Sequence, residues 1–111
     1  MAIDPSGFSI STSERDGRTV VAISGELDLA TAPELEQVLL ERLDAGQRVV
    51  LDLRDLQFMD SSGLRVLVAA HTRAADGKAG FAIVRPAEGS EVARILEIAG
   101  IEGQLEVVDE P

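Results

Sequence analysis

The chain has no cysteine, a single histidine and half as many basic as acidic side chains, 10 Lys and Arg against 20 Asp and Glu. Without cysteine it can form no disulfide, carry no thiol nucleophile and bind no metal through thiolates. The formal net charge of −10 argues against nonspecific nucleic-acid binding, because phosphate contacts need clusters of Lys and Arg. The same charge favours association with a partner that has a basic surface.

Long apolar runs are also missing, and none approaches the length of a membrane span. The first 13 residues have neither a basic start nor a long apolar centre, so we expect no secretory signal. These absences predict a cytoplasmic protein with no membrane partner. The 111 residues, 45% of them apolar, are enough for one domain over residues 1–111, with an ordered core over about 8–108.

The pattern of apolar residues predicts an α/β domain with elements in the order β-β-α-β-α-β-α-β. Strands that alternate with helices indicate a mixed, mostly parallel sheet with right-handed crossovers and three main helices. The turn signal Asp16-Gly17 predicts that the first two strands form an N-terminal antiparallel hairpin. The predicted strands cover residues 8–12, 18–25, 49–53, 81–84 and 105–108, and a short crossing follows the third.

Helix starts and ends are predicted from capping residues. Thr31 and Glu34 fit a capping box, with Pro33 in the first turn. Gly46 and Gly100 fit the ends of the first and third helices, and Asp76-Gly77 the exit of the second. The residues predicted to face the core are Leu35, Val38, Leu39 and Leu43 in the first helix, and Val92, Ile95, Leu96 and Ala99 in the third.

The segment Asp60-Ser61-Ser62-Gly63 follows the third strand and begins the second helix. Asp60 stands at the N-cap position, where its carboxylate can accept from the N–H of Ser62 or Gly63. Two hydroxyls therefore lie in the first helical turn at the carboxyl end of a strand, where α/β sheets usually build their sites. The predicted apolar stripe of this helix is Leu64, Leu67, Val68 and His71.

Three interpretations of this segment remain open from the residues alone. The first is plain capping, because Ser and Asp are common at helix starts. The second is a phosphoacceptor, since a phosphate at a helix N-terminus meets free N–H groups and the positive end of the dipole. The third, a catalytic serine, has little support: there is no G-x-S-x-G motif, and His71 lies about 15 Å along the same helix.

Nearly the whole chain resembles the STAS domain family, and within it the stand-alone bacterial anti-anti-sigma factors, also called anti-sigma factor antagonists. Three blocks carry the resemblance in the right order: GELDLATA at Gly25–Ala32, VVLDLRDLQFMDSSGLRVL at Val49–Leu67, and the helix that ends at Gly100-Ile101. The middle block is the specific one.

The resemblance implies a regulator of transcription that works by partner switching and is not an enzyme. The unphosphorylated protein would bind an anti-sigma factor that is also a serine kinase, and so release sigma factor. Ser61 would be the phosphorylation site, and a PP2C-type phosphatase would remove the phosphate. The kinase binds its own ATP and magnesium, so no cofactor, metal or direct nucleic-acid contact is expected for this chain.

The resemblance also implies a partner-binding surface made of Asp28, Asp60, Ser62, Gly63 and Arg65. Asp28 matches the family's aspartate in the G-E-L-D block, although a loop acid or a cap at the approach to the helix is an equally open interpretation. Arg65 departs from the family, because many members have glycine there, and we expect its side chain to be exposed.

Two further acids, Glu26 and Asp52, are weaker candidates for this surface, since Asp52 lies within a predicted strand and could bond locally.

Two other functions remain as alternatives. One is a scaffold or transport-accessory STAS module without a used phosphoserine. The other is a small hydrolase using Ser61, for which the sequence shows no base, metal set or phosphate-binding glycine loop.

Overall fold

A computed structural model describes residues 7–111, apart from the side chain of Glu102. Residues 1–6 lie outside the described residues. They are the first part of the 13-residue segment for which no secretory signal is expected. The predicted order of strands and helices is confirmed, with one 3₁₀ turn added at Ile101–Gly103. The elements are β1 Ser9–Arg15, β2 Arg18–Leu27, α1 Ala32–Asp44, β3 Arg48–Met59, α2 Ser61–Gly77, β4 Gly80–Val84, α3 Glu91–Ala99 and β5 Glu106–Val108.

One five-stranded sheet has the order β1-β2-β3-β4-β5. β1 pairs with β2 antiparallel, and the other neighbours are parallel, as predicted. Each crossover moves one strand further in the same direction, so right-handed connections place all three helices on one face of the sheet. The main core lies between that face and the helices. Its strand residues alternate along the chain: Val21 and Ile23, Val49, Leu51 and Leu53, Phe81 and Ile83.

The hairpin turn is the predicted one. Asp16 and Gly17 both have positive φ, 53° and 80°, which is the backbone of a two-residue type I′ turn, and Arg15 pairs with Arg18 across it. The turn joins two strands whose pairing is continuous from Ser9↔Ser24 to Arg15↔Arg18.

The prediction that a short connecting segment follows Leu53 is wrong, because β3 continues to Met59. The pairing of β2 with β3 shifts at two places, and at each one β3 carries one extra residue. Each such bulge moves the following side chains to the other face of the strand. Leu53, Leu56 and Met59 are consequently buried at a spacing of three residues, which does not resemble the alternation of a strand.

α1 ends as predicted, but it does not begin with a capping box. Gly46 has φ 80°, its N–H donates to Leu43 O, and the N–H of Gln47 donates to Arg42 O, which together form a Schellman motif. Thr31 occupies the N-cap position without making a side-chain cap hydrogen bond. Its hydroxyl instead holds the loop that precedes the helix.

The apolar stripe of α2 is rotated by about one position from the predicted one. The buried residues are Gly63, Val66, Leu67, Ala70 and Ala74, whereas Val68 is 46% exposed and Leu64 and His71 are half-buried. The helix lies close to the strand ends through Gly63: a Cβ there would lie 2.6 Å from Met59 Cγ and 2.8 Å from Leu27 Cδ2. The buried face thus combines three small residues, Gly63, Ala70 and Ala74, with Val66 and Leu67.

α3 follows its prediction in part. The Ser90 hydroxyl caps its start by accepting from the N–H of Ala93 at 3.2 Å, and Gly100 with φ 68° ends it. Val92 and Leu96 are buried and Ile95 is half-buried, but Ala99 is exposed because the helix ends there. Within residues 7–111, no helix has the length and apolar character needed to cross a membrane.

Candidate functional site at the carboxyl ends of two strands

The two acids predicted to meet at one edge of the sheet do so. β2 and β3 end side by side, with Leu27 paired to Met59, and Asp28 and Asp60 are the next residues of each strand. The N–H of Asp60 donates to Leu27 O at 3.2 Å. Both carboxylates thus lie on the sheet edge from which α1 and α2 begin.

Asp60 is the N-cap of α2, as predicted. Its backbone is extended, and Oδ1 accepts from the N–H of Ser62 at 2.8 Å. Its backbone carbonyl accepts from the N–H groups of Gly63 and Leu64 at 3.1 and 3.2 Å. Among the residues described, only the N–H of Ser61 is left without a partner in this turn. The free N–H groups expected for an anion are therefore mostly taken by Asp60 itself.

The two serines differ in exposure. Ser61 is the first residue of α2 and is exposed, and its hydroxyl makes no hydrogen bond within residues 7–111. Ser62 is half-buried, and its side chain lines a cleft between the starts of the two helices. The hydroxyl of Ser61 is the more accessible to an enzyme.

Asp28 organises the approach to α1. Its Oδ1 accepts from the N–H groups of Ala30 and Thr31 at 3.0 and 3.2 Å, and its carbonyl accepts from the N–H of Ala32 at 2.8 Å. The buried Thr31 hydroxyl donates to Glu26 O at 2.9 Å and accepts from the N–H of Asp28 at 2.9 Å. Asp28 and Thr31 thus hold the turn that precedes α1, and neither side chain accepts from an N–H within the helix.

The cleft beside Ser62 was not predicted. It has a volume of about 160 Å³, and its walls are Leu29, Ala32, Pro33 and Glu36 on one side and Ser62, Arg65 and Val66 on the other. Leu29 is 77% exposed and lines this cleft. A leucine between the loop acid Asp28 and the helix start was the available signal, but only the packing of α1 against α2 forms the cleft.

The remaining predicted site residues are placed as follows. Arg65 is exposed, as expected, and forms no ion pair within the described part of the chain. Gly63 is buried and has a packing role, since its hydrogen faces Met59 and Leu27. Glu26 is exposed and close in sequence to Asp28, but its side chain has no hydrogen bond among the residues described.

Asp52 lies away from this site and bonds locally. Its carboxylate accepts from Arg54 Nη2 at 2.8 Å, from Arg54 Nε at 3.0 Å and from the N–H of Arg54 at 3.0 Å. Burial raises the pKa of Asp52, but these hydrogen bonds and the charge of Arg54 lower it by more, so the pKa lies below its usual value. The Arg54 side chain is half exposed, so the pair is only partly shielded from water.

Comparisons with known proteins identify the family. Residues 10–109 match the family model described as Mlab, STAS domain, so the chain belongs to the STAS domain family. It is 30% identical over 99 residues to the anti-sigma-F factor antagonist RsfB of Mycobacterium tuberculosis, covering 88% of this chain and 79% of that protein. It is also 30% identical over 101 residues to the anti-sigma-B factor antagonist of Staphylococcus aureus, covering 90% and 92%.

A solved structure agrees over almost the whole chain. The crystal structure of an anti-sigma factor antagonist from Mycobacterium paratuberculosis superposes with a TM-score of 0.84 and 27% identity. The match covers 98% of this chain and 92% of that one. The expected STAS fold is thereby confirmed.

Proposed function

We propose that this protein is an anti-sigma factor antagonist whose binding is switched by phosphorylation of Ser61. The unphosphorylated form binds an anti-sigma factor that is also a serine kinase, and sigma factor is released; the phosphorylated form dissociates. The observation that carries the proposal is the exposed Ser61 hydroxyl directly after the Asp60 cap, in a chain similar to proteins named anti-sigma factor antagonists. Sigma factors act with RNA polymerase, so this function places the protein in the cytoplasm.

The choice of Ser61 over Ser62 rests on access. A kinase must bring the serine oxygen into line with the γ-phosphate, which requires an exposed hydroxyl. Ser61 is exposed and without side-chain hydrogen bonds among residues 7–111, whereas Ser62 is half-buried against the cleft. Ser62 is therefore a binding contact in this proposal.

The partner surface consists of Asp28, Asp60, Ser62 and Arg65 with the cleft residue Leu29. A phosphate on Ser61 adds a charge of about −1.5 to −2 beside the carboxylates of Asp60 and Asp28. A surface that accepts a neutral serine must then accept bulk and like charge. A loss of about 3–4 kcal/mol would weaken binding by about 200–1,000-fold, which is enough for a switch.

The protein acts in this cycle as a regulatory binding protein and not as an enzyme. His71, which could have served as a base, lies ten residues along α2 from Ser61, about 15 Å away. A general base must lie within about 3 Å of the proton it takes. The kinase and a PP2C-type phosphatase supply the chemistry, and this chain supplies the hydroxyl.

The test is a reaction with candidate anti-sigma factors, ATP and magnesium, followed by intact mass and fragmentation. We expect one phosphate on the wild type, none on Ser61→Ala, and one on the matched variant Ser62→Ala. Ser61→Ala should bind the anti-sigma factor whether or not ATP is present, and Ser61→Asp should bind poorly.

Two outcomes would contradict the switch. Phosphate mapped to Ser62 alone would overturn the assignment of Ser61. A stable complex that forms and persists in ATP without any phosphate would indicate the scaffold or transport-accessory alternative.

A further inference from the structure

The start of α2 has little capacity left to stabilise a phosphate. Asp60 accepts from the N–H of Ser62 through its side chain and from the N–H groups of Gly63 and Leu64 through its carbonyl. One remaining N–H, that of Ser61, is far fewer donors than three phosphate oxygens can accept. A phosphate on Ser61 therefore gains little from the helix backbone, and a nearby cation would be its main partner within the protein.

Arg65 is placed to be that cation. It lies four residues after Ser61 in α2, so the two side chains are neighbours on one face of the helix, with Cβ atoms about 5–6 Å apart. Helical side chains lean toward the N-terminus, which directs Arg65 back over the turn that carries Ser61. An anion four residues before a cation is also the favourable orientation of such a pair.

The side chain of Arg65 is free to move. It is exposed and has no ion pair within residues 7–111, whereas Arg54 is bound to Asp52 and Arg73 to Asp44. In the unphosphorylated protein Arg65 lines the cleft together with Leu29 and Glu36. The Arg65 side chain can therefore either line the cleft or pair with an anion on Ser61.

We propose that phosphoserine 61 and Arg65 form an ion pair within α2, which draws the Arg65 side chain away from the cleft. The proposal rests on the proposed function, because it concerns the state in which Ser61 carries phosphate. Phosphorylation then changes the partner surface twice: it adds charge at Ser61, and it removes Arg65 from the cleft wall that Ser62 and Val66 also form. Arg65 acts as a positioning residue, and most of the added charge remains exposed.

The test uses the full chain with phosphoserine installed at position 61 by codon reassignment, so that no kinase is needed. Phosphorus NMR measures the midpoint of the second phosphate ionisation in wild type, Arg65→Gln and Arg65→Lys. A nearby cation favours the dianion, so the wild-type midpoint should lie about 0.2–0.4 pH unit below that of Arg65→Gln. Arg65→Lys should recover part of the difference.

Arg73→Gln is the matched control, because it removes an exposed arginine of the same helix that pairs with Asp44 instead. Its midpoint should equal that of the wild type. Equal midpoints in wild type and Arg65→Gln would overturn the ion pair and leave the phosphorylation switch intact. Failure of the anti-sigma kinase to modify Ser61, by contrast, would refute the proposed function whatever the midpoints are.

Discussion

Single side chains at the edge of the sheet do two tasks in this protein, since the acids that mark the candidate site also hold the helix starts. Asp60 fixes the first turn of α2 through the N–H of Ser62, and Asp28 fixes the loop before α1 through Ala30 and Thr31. Substituting either acid therefore tests folding as well as binding, and the two effects must be separated by the choice of variant.

Asp60→Ala should lower the free energy of unfolding by about 1 kcal/mol, because the N–H of Ser62 loses its acceptor. Asp60→Asn keeps an oxygen at the same place and should lose less. Urea denaturation of the three proteins measures the difference. Equal stability of Asp60→Ala and wild type would show that the cap contributes nothing.

Charge reversal at Asp28 is a poor test of binding, because a lysine there cannot accept from the N–H groups of Ala30 and Thr31. We expect Asp28→Ala to lower the free energy of unfolding by about 1–2 kcal/mol. Asp28→Asn retains an acceptor and should stay near wild-type stability. Weak binding to the anti-sigma factor by a stable Asp28→Asn protein would assign the negative charge to the interface, whereas unchanged binding would leave Asp28 with its structural role alone.

At the scale of elements, the position of α2 is set by how closely it approaches two strand ends. Gly63 faces Met59 and Leu27, and further along the helix Ala70 and Ala74 are buried. The exposed Ser61 and the wall of the cleft formed by Val66 depend on this seating, because both lie on the same rigid helix. Displacing α2 should thus disturb the site without altering any of its polar groups.

Gly63→Ala should lower the free energy of unfolding by about 1–3 kcal/mol, since the new methyl would lie 2.6 Å from Met59 Cγ. The matched control is Gly77→Ala at the other end of the same helix, where a Cβ meets nothing within 4 Å. It should be neutral or stabilising by up to about 1 kcal/mol. Thermal denaturation of both variants gives the comparison, and a Gly63→Ala protein as stable as Gly77→Ala would refute the close packing.

At the scale of the whole molecule, the sheet has two unlike faces. The helix-covered face carries the main core, whereas the opposite face buries Val20, Val50, Ala82 and Val84 around the Asp52–Arg54 pair. The proposed partner surface lies at the sheet edge and does not include this pair. The Asp52–Arg54 pair contributes to the stability of the domain, and this contribution should depend on pH.

The lowered pKa of Asp52 means that its ionised form stabilises the folded state. That contribution is fully present above the pKa of the unfolded chain, about 3.9, and is lost as the pH falls through the lower folded value. Asp52→Asn should cost less than about 1 kcal/mol at pH 7, since Arg54 is half exposed, and less at pH 2 than at pH 7.

Asp44→Asn provides the comparison for this pH dependence. It removes the exposed pair with Arg73 and should leave stability unchanged at either pH. Urea denaturation at the two pH values is the measurement. A cost of Asp52→Asn that is as large at pH 2 as at pH 7 would show that packing, and not charge, holds this residue.

The sequence by itself determined the order of the elements, the hairpin turn at Asp16-Gly17, the cap Asp60, and the ends at Gly46 and Gly100. It also placed Asp28 and Asp60 on one edge, because parallel strands end together. These features depend on hydrogen bonds between residues a few positions apart and on backbone conformations that particular residues favour.

Only the tertiary structure decided the length of β3, the buried face of α2, the role of Thr31 and the cleft beside Ser62. The two bulges of β3 are defined by its pairing with β2, and the seating of α2 by Gly63 against Leu27, 36 positions earlier. Leu29 and Arg65 come together only when α1 packs on α2. Such contacts join residues distant in the chain, and their energy depends on how side chains fit together, which no local pattern records.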